Sequence, residues 1–133
     1  MLQNERLEKL IELFRKHIGM GKALTKYEIF EHIFGELENY SDEQIFVLWD
    51  KLRKDMNLIR RTYKKHNCFI VFTKEEVEDE NGIYFQYKFF VPKNRIEALE
   101  YRERMRKNIE SCKFMSKVCK TYVDKQMWKL FEE

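Results

Sequence analysis

The chain has 133 residues, of which 44% are hydrophobic, 15% are aromatic and 37% are charged. This length suits one domain with an extension. Eleven Phe, seven Tyr and two Trp provide enough apolar surface to exclude an intrinsically disordered chain. The formal net charge of +3 is mildly basic and identifies no class of partner by itself.

Membrane insertion and catalysis are both disfavoured by the sequence. No apolar run approaches the roughly 18 residues of a membrane span, and MLQNERLEKL lacks the basic-then-apolar order of a secretory signal. We therefore expect a cytoplasmic protein without membrane contact. Three cysteines without a CxxC spacing predict neither a disulfide framework nor a metal site. Glycine-rich phosphate loops, GxSxG and HExxH do not occur, so we expect no enzymatic activity, no cofactor and no small-molecule ligand.

Three amphipathic helices are predicted in the first part of the chain, because apolar residues recur there every three or four positions. Two of them begin with capping boxes, Thr25 with Glu28 and Ser41 with Gln44, in which side chains satisfy otherwise unpaired backbone N–H groups. The predicted bounds are Asn4–Ile18, Thr25–Phe34 and Asp42 to about Met56.

A β-hairpin is predicted after the third helix. Leu58–Tyr63 is predicted as a short first strand, and Cys68–Asp79 and Ile83–Val91 as longer strands. Asn81-Gly82 between them is typical of a type I′ turn, which needs positive φ at both residues. The pairs expected across this turn are Glu75 with Lys88 and Phe72 with Val91. The base of the hairpin is apolar on both faces, which predicts that the terminal helix or a partner chain covers the second face.

A long helix is predicted from Asn94 to the C-terminus, where the chain contains neither proline nor glycine. Its apolar positions approach a heptad seam, which predicts a homodimer joined through this helix. A helix that folds back on its own domain is the alternative. The residues expected at the dimer interface are Met105, Ile109, Cys112, Met115, Cys119 and Tyr122.

The order of these elements over Glu5–Val91, with ALTKYEIFEHIFG, SDEQIFVLWDKLRKDMNLIRR and the hairpin in succession, resembles the winged helix-turn-helix superfamily of DNA-binding domains. The resemblance implies a winged helix of three helices plus a hairpin wing in residues 1–92. Together with the helical extension predicted for residues 93–133, this makes the expected fold α+β and mostly helical. The resemblance also implies that the third helix enters the major groove and that the wing lies along the backbone or the minor groove.

Basic residues concentrate between Lys51 and Lys65, where seven bases accompany one acid, Asp55. Such a cluster can form a phosphate-binding face, or it can be an ordinary solvated surface. The hairpin departs from an electropositive wing, because Glu75–Glu80 is an acidic run. The candidate nucleic-acid-binding residues are Lys22, Lys26, Gln44, Lys51, Lys54, Arg60, Arg61, Lys64 and Lys65.

We therefore expect a dimeric, sequence-specific protein that binds double-stranded DNA. Transcriptional regulators and accessory proteins of plasmid or phage replication, partition or transfer have this size and plan. A winged helix that contacts proteins instead of DNA is the alternative, which the acidic wing and the balanced charges of the third helix favour. A coiled-coil assembly subunit is a third hypothesis.

Overall fold

Helices and a small antiparallel sheet make up the computed structural model, which describes residues 1–107 and 109–110. The chain divides into two compact units, Met1–Ala98 and Leu99–Glu133. The elements of the first unit are α1 (Gln3–Arg15), a 3₁₀ turn (Met20–Lys22), β1 (Leu24–Thr25), α2 (Lys26–Phe34), a second 3₁₀ turn (Leu37–Asn39), α3 (Asp42–Arg61), α4 (Tyr63–His66), β2 (Val71–Asp79) and β3 (Gly82–Phe90). Residues 95–107 and 109–110 are also helical.

One hydrophobic core joins α1, α2 and α3 with the segment before β2. Each helix contributes the apolar stripe that its three- and four-residue spacing predicts. The largest fully buried side chains of this core are Phe14, Phe30, Leu10, Ile29, Leu52, Met56, Ile59 and Ile70. Next to the core, the Tyr40 hydroxyl donates a hydrogen bond of 2.8 Å to the Phe34 carbonyl, which closes the connection between α2 and α3.

Both predicted capping boxes are confirmed. The Thr25 hydroxyl accepts from the Glu28 N–H at 3.2 Å, and the Glu28 carboxylate accepts from the Thr25 N–H at 3.3 Å. Ser41 and Gln44 make the same reciprocal pair at the start of α3, at 3.2 and 2.9 Å. Four residues read from the sequence therefore determine where two helices begin.

The first helix is shorter than predicted, because it ends at Arg15 instead of Ile18. Beyond it the chain becomes extended and pairs with the segment after β3: the Val91 N–H donates to the His17 carbonyl, and the Gly19 N–H donates to the Val91 carbonyl. Gly19 has φ +99°, a conformation that glycine adopts without strain. The sequence also gave no sign of β1, which is only two residues long and is defined by its pairing with β3.

The predicted strand Leu58–Tyr63 is wrong, because α3 continues through these residues to Arg61. Ile59 lies three residues beyond Met56 on the same face and is fully buried, so continuing the helix extends its apolar stripe. The short helix α4 follows and ends at His66, and the next residue, Asn67, has a left-handed φ of 48°. Asparagine tolerates that conformation better than most residues.

The sheet is antiparallel with strand order β1-β3-β2, and its hairpin register differs from the predicted one by two residues. Asp79 pairs with Gly82, so the turn residues are Glu80 and Asn81 and not Asn81 and Gly82. The Asp79 carboxylate accepts from the Asn81 N–H at 2.8 Å, and this side-chain turn closes the hairpin one residue early. The observed pairs are Phe72 with Phe89, Thr73 with Lys88 and Glu75 with Gln86. A two-residue slip leaves every side chain on its expected face.

A buried acid connects α3 to α1. Asp55 is 2% exposed, and its carboxylate accepts a 2.7 Å hydrogen bond from Arg6 Nε. Gln3 Nε2 approaches the same carboxylate at 3.5 Å. Asp55 lies between Leu52 and Met56 on the inner side of α3, so its charge requires a partner from the neighbouring helix.

The Asp55→Ala variant is expected to lower the free energy of unfolding by about 3 kcal/mol, because it leaves the Arg6 guanidinium without its charge partner in a largely buried position. Asp50→Ala is the matched control, since it removes an acid from the exposed side of α3 and is expected to cost much less stability than Asp55→Ala. Urea unfolding of the two variants measures the difference. Equal losses would contradict a special role for Asp55.

Candidate nucleic-acid interface

The candidate interface begins on the outer face of α3. Lys51, Lys54 and Arg61 are three and seven residues apart, so they lie along one side of the helix over about 15 Å. Lys64 and Lys65 follow in α4, and all five residues are exposed. We call this set, Lys51, Lys54, Arg61, Lys64 and Lys65, the positive strip.

Asp50 neutralises part of the charge on α3. Its carboxylate contacts Arg53 at 2.8 Å and Lys54 at 3.0 Å. Hydrogen bonds from Arg53 and then from Lys54 hold the pKa of Asp50 below its ordinary value, so this acid is charged at neutral pH. Lys54 therefore offers a phosphate less net charge than the other members of the positive strip.

The remaining bases of the positive strip are available for an external partner. Among the residues that the structure describes, Lys51, Arg61, Lys64 and Lys65 make no ion pair. Three of them lie together where α3 ends and α4 begins. Exposed and uncompensated cations at this density attract polyanions, because binding releases the counterions condensed on the polyanion.

Arg60 points away from the positive strip. Its Nε donates to the Ile70 carbonyl, its Nη1 donates to Asn57 Oδ1 at 3.1 Å, and its guanidinium lies 5.7 Å from the ring centre of Phe72. These contacts connect α3 to the segment that leads into β2. Arg60 and Arg61 were both predicted to bind nucleic acid. In an α-helix, however, the side chains of adjacent residues point in directions about 100° apart.

The other three candidate residues lie near the N-termini of α2 and α3. The amino group of Lys26 lies 5.5 Å from the ring centre of Tyr27 and 5.7 Å from that of Trp49. Lys22 is exposed at the end of the 3₁₀ turn, and its carbonyl accepts from His17 Nδ1 at 3.0 Å. The Gln44 carbonyl is used in the capping box, which leaves its amide nitrogen as the group that can contact a base edge.

The sequence analysis did not predict the apolar face of the hairpin that carries Phe89. Phe89 packs on Trp49 of α3, with ring centres 5.8 Å apart, and the alternating residues Ile83, Phe85 and Tyr87 continue this face beyond the core. Their exposed fractions are 63%, 57% and 47%. We call these three residues the apolar wing row. The sequence signal for this face is the apolar residue at every second position of IYFQY, since alternate residues of a strand point to the same face.

Acids dominate the rest of the hairpin. Residues 74–80 hold one lysine and five acids. Glu75 pairs with Lys88 at 2.9 Å as a diagonal neighbour across the strands, and this hydrogen bond raises the pKa of Lys88. The acidic tip would repel phosphate groups, so the wing and the positive strip have opposite electrostatic character.

Neither metal chemistry nor a membrane span is indicated in the described part of the chain. Residues 1–107 and 109–110 contain no group of three or more His, Cys, Asp or Glu side chains placed to hold a metal ion. No helix within the same residues combines the length and apolarity that crossing a bilayer requires. Burial raises the pKa of the Cys68 thiol, which therefore remains protonated and unreactive at neutral pH.

Comparison of the chain with protein-family models, curated proteins and solved structures finds no match in any of the three. The function is therefore inferred from the geometry and charge of the chain itself.

Arg60→Gln and Arg61→Gln form a matched pair that separates the inward base from the outward one. Arg60→Gln is expected to lower the free energy of unfolding by about 2 kcal/mol, because the Ile70 carbonyl loses a charged donor. Arg61→Gln is expected to change it by less than about 0.5 kcal/mol. Urea unfolding of both variants measures the difference. Equal losses of unfolding free energy would contradict an inward Arg60 and an outward Arg61.

Proposed function

We propose that this protein binds double-stranded DNA as a winged-helix protein, with the positive strip as its phosphate-binding surface. The observation that carries the proposal is a set of four exposed bases on α3 and α4 that make no ion pair with any residue the structure describes: Lys51, Arg61, Lys64 and Lys65. Phosphate contacts of this kind supply the affinity of DNA-binding proteins and set their orientation on the duplex.

The architecture supports this role. The buried stripe of α3 packs against α1 and α2, and Trp49 contacts Phe89 of the sheet. Lys51, Lys54 and Arg61, on the other side of the helix, remain exposed. A helix exposed in this way fits the major groove of B-DNA. In this arrangement Lys51 lies where it can contact guanine edges, and Arg61, Lys64 and Lys65 contact the backbone.

We further propose that two copies bind two half-sites, as a dimer would. Of the residues predicted to join them, Met105 is half-buried and Ile109 is exposed, and both lie in the helical part of the second unit. Cys112, Met115, Cys119 and Tyr122 lie outside the described residues, so their role stays a prediction.

A protein-binding role without DNA is the second candidate. The acidic residues 74–80 and the apolar wing row favour it, because exposed apolar side chains rimmed by charge are typical of protein contact sites. Retention of duplex DNA at low salt distinguishes the two candidates.

The Lys64→Gln/Lys65→Gln variant is expected to weaken binding to random-sequence duplex DNA and to reduce the slope of log K against log salt. The reduction is about 0.9 for each lysine that contacts a phosphate. Lys9→Gln/Lys16→Gln is the matched control, because it makes the same charge change at two exposed positions, one in α1 and one directly after it. Fluorescence anisotropy across a salt series measures both slopes. Equal slopes in the two variants, or no binding by the parent chain at low salt, would refute the proposal.

A further inference from the structure

The outer edge of β3 is an open pairing surface. β1 pairs only with Phe89 and Lys88, through Leu24 and Thr25. Within the described residues, no strand lies beside residues 82–87 on that side. The backbone N–H and C=O groups of these residues that point away from β2 therefore form the unpaired edge of a sheet, which is a template for another strand.

The two edges of the hairpin differ in chemistry. β2, the opposite edge, carries Lys74, Glu75, Glu76, Glu78 and Asp79, and charges of this kind protect an edge from pairing. The open stretch of β3, GIYFQY, has no charged residue. It also carries the apolar wing row, so an added strand would bury both backbone groups and apolar side chains.

We propose that the open edge of β3 pairs with the same edge of a second copy of this chain, antiparallel and centred on Phe85. In this register Ile83 faces Tyr87 of the other copy, Phe85 faces its counterpart, and Tyr84 faces Gln86. The apolar wing rows of the two copies then form one continuous surface, and no like charges face each other. The proposal does not depend on DNA binding.

Charge favours a second copy at this edge over a nucleic acid. Glu76 and Glu78 lie on the same face as the apolar wing row, opposite Phe85 and Ile83. They outnumber Lys74 of the same strand face, whose amino group lies 4.0 Å from the ring centre of Phe85, so the balance of charge there repels phosphates. These acids would also repel the corresponding acids of a second copy if the two β2 strands came close together. In the order β2-β3-β3-β2, the two β2 strands are about 14 Å apart, beyond the Debye length of about 10 Å at 0.1 M salt. Pairing through β2 would instead bring them to about 5 Å.

Light scattering of the full chain over a dilution series, compared with two lysine variants, tests the surface. Phe85→Lys places like charges directly opposite at the two-fold axis, so the dimer dissociation constant is expected to rise about tenfold or more. Glu76→Lys introduces lysine in the same rung on the other strand and is expected to leave the dimer intact or strengthen it. Circular dichroism verifies that both variants fold. The dimer proposed through the terminal helix would persist in Phe85→Lys, so the readout is the association that this variant loses relative to the parent chain. A parent chain that stays monomeric, or whose association Phe85→Lys leaves unchanged, overturns the proposal.

Cysteine cross-linking tests the register. Directly opposed residues of antiparallel strands have Cα atoms about 5 Å apart, within disulfide range, so Phe85→Cys is expected to form a linked dimer under mild oxidation. Gln86→Cys is the matched control, because two copies of residue 86 would lie about 8 Å apart, too far for a bridge. The parent chain under the same oxidant gives the background from the native cysteines. Equal cross-linking at 85 and 86, or none above background, overturns the register.

Discussion

The packing of α3 against α1 and the base of the hairpin is the constraint on which the first unit depends. Leu52, Met56 and Ile59 are completely or almost completely removed from water on one side of this helix. Trp49, on the adjacent side of the same helix, contacts Phe89 of β3. Once this side is committed to the core, helical geometry decides the direction of every other side chain on α3.

Two polar connections fix this packing. The Asp55 carboxylate binds Arg6 of α1, and the Arg60 guanidinium binds the Ile70 carbonyl just before β2. Each connection uses a charged side chain on α3 and a partner from a different part of the chain. Buried charges need such partners, and a helix that was rotated or shifted would lose them. These two groups therefore favour one orientation of α3 over its neighbours.

The same orientation separates the surface into regions of different chemistry. Arg61, Lys64 and Lys65 project from the end of α3 and from α4, while the acids cluster on β2 and at the hairpin turn. The apolar wing row lies beside those acids but on β3, whose open edge is uncharged. The proposed contacts with a polyanion and with another strand therefore involve different residues of one small unit.

The sequence by itself determined the local features whose causes are local. Ser41 with Gln44 and Thr25 with Glu28 specified two helix starts, because a capping box needs only residues three positions apart. The hydrophobic periodicity identified most of the core, and the hairpin was predicted in the correct two segments of the chain.

Tertiary structure decided what depends on distant partners. The end of α1, the pairing of β1 and the burial of Asp55 all require residues far along the chain, and the inward turn of Arg60 depends on the Ile70 carbonyl meeting its guanidinium. The continuation of α3 to Arg61 instead follows a local signal that the prediction missed, the apolar Ile59 three residues beyond Met56. Residues adjacent in sequence, such as Arg60 and Arg61, acquired different roles because a helix directs neighbouring side chains to different surroundings.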